Sequence, residues 1–156
     1  MTDLRSEAPG ARVRLPEVEP LPPMSVRERV ARGLAARDRV PLGSHGRWQP
    51  DPTRSDPVSV LERQATSRDP ELGPLRHGRM ARSAFAFYRG GAAIMAADLA
   101  STRSSGLRAQ LCGDAHLVNF GVFDTPERGH VFDINDFDET LPGPWEWDVK
   151  RLAASV

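Results

Sequence analysis

The chain has 156 residues, 39% of them hydrophobic and 27% charged, with a formal net charge of 0. This suggests a soluble globular chain of about one domain and speaks against a globally basic nucleic-acid binder. The single cysteine, Cys112, excludes an internal disulfide and a Cys-rich zinc site and fits a reducing compartment. No apolar run approaches the roughly 18 residues of a membrane span. Met1 to Gly10 carry no apolar signal core, so a cytoplasmic protein that does not enter the membrane is the expectation.

Residues 1–23 hold Pro9, Pro16, Pro20, Pro22 and Pro23 with almost no apolar periodicity, the composition of a disordered or extended arm. Ser25 and Glu28 have the spacing of a capping box, followed by Val30, Leu34 and Ala35 at helical intervals; a helix over about 26–38 is predicted. Pro41 to Gly46 end it, and a Pro/Asp/Arg loop runs to residue 57. Asp56-Pro57 reads as a cap with proline in the first turn, opening a helix to about Ser67. A turn at Asp69-Pro70 precedes a short helix carrying Leu75 and Met80. Phe85 to Gly90 fit either a strand or a helix, and Gly91 to Ala100 read as a buried helix. Strands are predicted at 107–112, 118–123 and 129–134, the last two joined by a hairpin turn at Asp124 to Gly129. Pro142-Gly143-Pro144 reads as a break, and Trp145 to Val156 as a helix. That helix carries no stop signal at Val156, so the expectation is that the domain continues and that the chain is a fragment. The fold class expected is α+β, mostly helical, with a small antiparallel sheet at about 107–134.

The charge is unevenly placed. The 21 basic residues include one lysine, Lys150, and residues 111–148 set nine acids against Arg128. Such an acidic block must be solvated, paired with arginine from elsewhere, or bound to a cation. Two parts of it carry chemistry: Gly113-Asp114-Ala115-His116-Leu117-Val118-Asn119 after a strand, and Asp133-Ile134-Asn135-Asp136-Phe137-Asp138 after the hairpin. A loop Asp can accept the proton of an attacking hydroxyl. An Asn oxygen and a later Asp can hold a divalent cation that bridges phosphates, and these hard ligands favour magnesium over zinc. The readings of single residues stay open: His116 can act in catalysis or orient the loop, and Asp138 and Glu139 suit a solvated turn. Arg79, Arg82 and Arg89 can meet the acidic block, bind phosphate or form a solvated face.

The first part is similar to the Gly-Asp-x-His-x-x-Asn catalytic loop of aminoglycoside and choline phosphotransferases, relatives of protein kinases, and Asp136-Phe137-Asp138 looks like their metal-binding Asp-Phe segment. More narrowly, about Pro41 to Val156 resembles a bacterial family catalogued as domain of unknown function 2252. The match runs through Pro41-Leu42-Gly43-Ser44-His45, Arg79-Met80, Phe85 to Gly90, Leu111 to His116, Asn135 to Thr140 and Pro144 to Leu152. On that resemblance residues 24–156 form the N-terminal portion of such a domain, a protein-kinase-like catalytic half. Asp114 is implied as catalytic base with His116 beside it. Asn119 is implied as a metal ligand, with Asp136 as the second ligand and Asp133 its rival. ATP, Mg2+ and a hydroxyl-bearing acceptor are implied as the partners.

A kinase-like site also needs a glycine-rich cover and a lysine for the nucleotide phosphates. The chain has no G-x-G-x-x-G, and Lys150 falls on the helix after the metal loop. The resemblance therefore implies that a nucleotide lobe follows in rearranged order. Two alternatives stand beside the phosphotransferase: a truncated, inactive fragment that binds a partner, and a metal-dependent phosphoesterase, for which His45, His77, His116 and His130 do not form matching motifs.

Overall fold

The computed structural model describes residues 23–156; the arm expected over 1–23 lies, but for Pro23, outside them. The first helix, α1 (Val26–Arg39), opens with the capping box read from its sequence. Glu28 Oε2 accepts from Ser25 N at 2.7 Å, and Ser25 Oγ accepts from Glu28 N at 3.3 Å. Only Ala36 of this helix is buried; Val26, Val30 and Leu34 remain exposed. The next helix, α2 (Pro57–Ala65), starts where Asp56 accepts from Ser59 N at 2.9 Å. It packs on α5 (Ala92–Ala100), whose Ala92, Ile94 and Leu99 are buried. The loop ahead of α2 is tied to α5 by a two-pronged pair of Arg54 with Asp98, at 2.6 and 2.9 Å.

Between them, α3 (Gly73–Met80) packs against α4 (Ala84–Gly90). The aromatic segment that fitted strand or helix is thus helical. Ser83 settles it by capping, its hydroxyl accepting from Ala86 N at 3.0 Å. Gly90 lets the two helices meet, since a Cβ there would lie 2.5 Å from the Met80 side chain. Among the described residues no helix is long and apolar enough to cross a membrane.

The strands depart from expectation. Among the described residues the chain forms two antiparallel ribbons rather than one sheet over 107–134. β2 (Phe120–Asp124) and β3 (His130–Ile134) are the predicted hairpin, with Phe120 stacked on Phe132 at 6.1 Å. Its second residue pair places Asp133 opposite Gly121. β1 (Arg108–Leu111) instead pairs with β4 (Leu141–Pro144), the segment read as a break. In a two-stranded ribbon both strands are edges, where a proline's missing N–H costs no ladder bond. Gly143 faces Leu111 so closely that a Cβ would come within 2.5 Å of its Cδ1. The second predicted strand also starts late, because Leu117–Asn119 form a 3-10 turn.

The last helix, α6 (Glu146–Ala154), lies against α5. Leu111, Cys112 and Ala115 are the most deeply buried apolar residues. The core therefore centres on the end of β1 and the loop that follows it. Trp145 is still partly exposed and donates through Nε1 to Ser105 Oγ at 3.1 Å.

Candidate functional site

The loop after β1 is held from three directions. Asp148, in the first turn of α6, accepts from the backbone amides of Cys112 at 2.8 Å and Gly113 at 3.1 Å. An ionised acceptor makes such bonds about twice as strong as neutral ones. Gly113 then turns with φ of +86°, a conformation open to glycine at little cost. Its Cα face abuts the Glu139 backbone, where a Cβ would overlap the carbonyl. The first loop therefore rests directly on the second.

Asn119 joins the two loops from inside. It is 6% exposed, and its Nδ2 donates to the backbone carbonyls of Asp114 and Asp136, each at 3.0 Å. The Cys112 thiol completes the knot, accepting from the same nitrogen at 3.4 Å and donating to the Asp136 carbonyl at 3.5 Å. Burial raises this thiol above the ordinary cysteine range, and Asp148 and Asp114 nearby push the same way. Cys112 is a buried network member with no reactive character. Two carbonyl acceptors fix which end of the Asn119 amide is nitrogen. Its Oδ1 accepts no hydrogen bond from the described residues, and Asn119 lines the adjoining cleft.

The Asp114 carboxylate is divided in use. Arg151, 3% exposed, directs Nε at Oδ1 at 2.5 Å and brings Nη2 to the same oxygen. Oδ2 is left facing His116 Nε2 at 3.5 Å. Arg151 is itself held by Tyr88: Nη2 donates to the Tyr88 carbonyl at 2.8 Å, the guanidinium lies 4.4 Å over the ring, and the phenol donates to the Arg151 carbonyl at 2.5 Å. Burial raises the Tyr88 phenol, which keeps it a donor. Sequence reasoning missed both residues. The available signal was the i, i+3 spacing of Asp148 and Arg151, which puts both on one helical face.

His116 is buried, and its Nδ1 has no partner among the described residues. Burial lowers its pKa; Arg89 and Arg151 add to the effect and Asp114 opposes it. The imidazole is therefore neutral at neutral pH and packs edge-on to Phe85 at 6.2 Å.

These loops open onto a cleft of about 1270 Å³. From the loops it is lined by Asp114, His116, Asn119, Asp136, Asp138 and Glu139, and from the helical side by Arg68, Arg76, Arg79 and Arg89. The structure thus brings Asp114, His116, Asn119 and Asp136 to one cavity. Asp133 is not among its lining residues; it sits on the exposed hairpin, its Oδ1 accepting from Ile134 N at 2.8 Å. Asp136 uses Oδ1 to accept from Asp138 N at 2.9 Å. Arg68 reaches Glu139 at 3.1 Å, an exposed pair of little energetic weight. Among the described residues no three His, Cys, Asp or Glu side chains gather as a metal cage by themselves.

His77 also lines this cleft; the other candidates lie elsewhere. His130 pairs with Asp124 at 2.6 Å at the tip of the hairpin. His45 and Lys150 line a separate cavity of about 400 Å³. Lys150 approaches Thr102 Oγ1 at 3.4 Å, and burial lowers its pKa. Glu146 is buried; burial raises its carboxyl, but hydrogen bonds from Ser105 outweigh this and leave it below its usual value.

Comparison with known proteins gives one finding of family: residues 68–156 match the family described as uncharacterized protein conserved in bacteria (DUF2252). No curated protein and no solved structure matches the chain.

Proposed function

We propose, from the premise that the chain belongs to the DUF2252 family, that its acidic cleft is a kinase-like phosphoryl-transfer site that uses ATP and a divalent cation. The observation that carries the reading is the Asn119 amide, which spends its nitrogen on the carbonyls of Asp114 and Asp136 and leaves Oδ1 without a partner among the described residues, on a residue that lines the cleft. An oxygen ligand at Asn119, a carboxylate at Asp136 and a potential base at Asp114 are then fixed relative to one another by one side chain.

The donor set fits Mg2+ in kind. Magnesium prefers oxygen, keeps several waters, and is commonly held by one or two carboxylates together with substrate phosphates rather than by an all-protein cage. Asn119 Oδ1 and the Asp136 carboxylate would hold it. When bound, the ion would offset negative charge on the phosphates in the transition state.

Asp114 Oδ2 is the oxygen left to receive the proton of an acceptor hydroxyl. The hydroxyl oxygen forms its bond to the terminal phosphorus as the bond from that phosphorus to the nucleoside diphosphate breaks. Arg151 keeps the Asp114 carboxylate oriented through Oδ1. His116, neutral and enclosed, orients the loop from the other side. The phosphoesterase alternative has less support: His77 and His116 line the cleft, but His45 and His130 lie away from it.

The test is metal-dependent ATP turnover by the wild type, Asp114→Asn and Asp136→Asn. Loss of at least about 100-fold in each variant is expected. Unchanged turnover in both defeats the scheme.

A further inference from the structure

The cleft holds a second set of groups that the phosphotransfer reading does not use. Arg76 and Arg79 on α3 and Arg89 on α4 line it, and they come from a different part of the chain than the carboxylates. Neither the Arg79 nor the Arg89 guanidinium has a hydrogen-bond or ion-pair partner among the described residues. Arg76 is anchored through Nη2 alone, which donates to the Gly90 carbonyl at 2.8 Å and to Gln64 Oε1 at 3.3 Å. Its other guanidinium nitrogens have no partner among those residues. Arg82, just past the end of α3, is not among the lining residues.

Three arginines that line one cleft, with guanidinium donors left over, suit an anion or water. Their flat forks match phosphate oxygens two at a time, and they are less strongly hydrated than a lysine ammonium. The chain's one lysine lines the other cavity. Burial lowers the pKa of Arg76, with Arg68 adding to it and Glu139 and Asp114 opposing it; burial lowers that of His116, with Arg89 adding to it, so these cations and the proposed base share one field. A cavity of about 1270 Å³ exceeds the roughly 300–1,000 Å³ of small-ligand pockets, leaving room for a nucleotide and an acceptor.

We infer that Arg76, Arg79 and Arg89 form the clamp for the polyphosphate of the donor, the task a lysine and a glycine-rich loop perform in other phosphotransferases. This rests on the phosphotransfer reading and names the part of the substrate that α3 and α4 bind.

Titration calorimetry with Mg-ATP, tripolyphosphate with Mg2+, and adenosine separates the sources of affinity. It is run on the wild type, Arg79→Ala/Arg89→Ala, Arg79→Lys/Arg89→Lys and Arg82→Ala, each first shown to melt like the wild type. The expected result is that tripolyphosphate and Mg-ATP both bind the wild type. The double alanine variant then binds each about ten- to 100-fold more weakly, the lysine variant falls between, and Arg82→Ala is unchanged. Tripolyphosphate binding that survives the double alanine change within twofold overturns the clamp. So does equal weakening by Arg82→Ala, or a wild type that binds no tripolyphosphate. Loss of tripolyphosphate binding on cue, with Asp114→Asn turning over ATP as fast as the wild type, upholds the clamp and overturns only the catalytic assignment.

Discussion

Replacing Arg151 by Met tests the arrangement around Asp114 most directly. The side chain is 3% exposed and Asp114 is 23% exposed. Removing one partner of a buried pair costs about 3–5 kcal/mol, and the water that still reaches Asp114 favours the lower end. The hydrogen bond to the Tyr88 carbonyl adds about 1 kcal/mol and the contact over the Tyr88 ring about 0.5–1 kcal/mol. Burial of the Met side chain returns about 1 kcal/mol of this. The net expectation is a loss of about 4 kcal/mol, a large share of the roughly 5–15 kcal/mol of a folded domain. Urea unfolding followed by the fluorescence of Trp48, Trp145 and Trp147 measures it. Adding Asp114→Asn removes the stranded charge, so the double variant is expected to regain about 1–2 kcal/mol over Arg151→Met alone. A loss under about 1 kcal/mol for Arg151→Met, or no recovery in the double variant, refutes a buried pair as the support of the loop.

Gly113→Ala combines a positive φ with overlap against the Glu139 backbone; it is expected to cost about 3 kcal/mol, read by the same unfolding curve. Cys112 should react with a thiol reagent only at the rate of unfolding, so labelling faster than that in native buffer contradicts its burial. His116 has a folded-state pKa below its unfolded value of about 6.5. The unfolded chain then binds the extra proton first, and stability is expected to fall as pH drops below about 6.5, by up to roughly 1.4 kcal/mol per unit. His116→Gln should flatten that limb below about pH 6.5. Arg128 holds a φ of 63° in the hairpin turn, so Arg128→Gly is expected to leave stability unchanged or raise it by up to about 1 kcal/mol.

Local signals carried much of the fold. The capping box at Ser25, the Asp56-Pro57 start, the buried 92–100 helix and the 120–134 hairpin were all legible because each is local, the widest hairpin pair being Phe120 with Ile134. What was not legible was pairing at a distance. β1 finds β4 across thirty-odd residues of chain, and two prolines disguise the partner strand. At the site, residue types and spacing led to Asp114, Asn119 and Asp136, since their loops are short. The resemblance already put Asp136 ahead of Asp133, and of the two only Asp136 lines the cleft. Arg151 and Tyr88 were harder to read: the spacing from Asp148 put Arg151 on the same helical face, but which of 20 arginines meets a given carboxylate is decided by packing.

One nitrogen atom, that of the Asn119 amide, ties the two acidic loops to each other. Spontaneous deamidation would exchange it for oxygen, and an oxygen facing two carbonyls repels what the nitrogen attracts. Such ageing would pull the loops apart with almost no change in mass. The enclosed setting and the bulky Phe120 that follows retard that reaction in the folded chain. Storage conditions that favour transient opening are therefore where the damage would accumulate first.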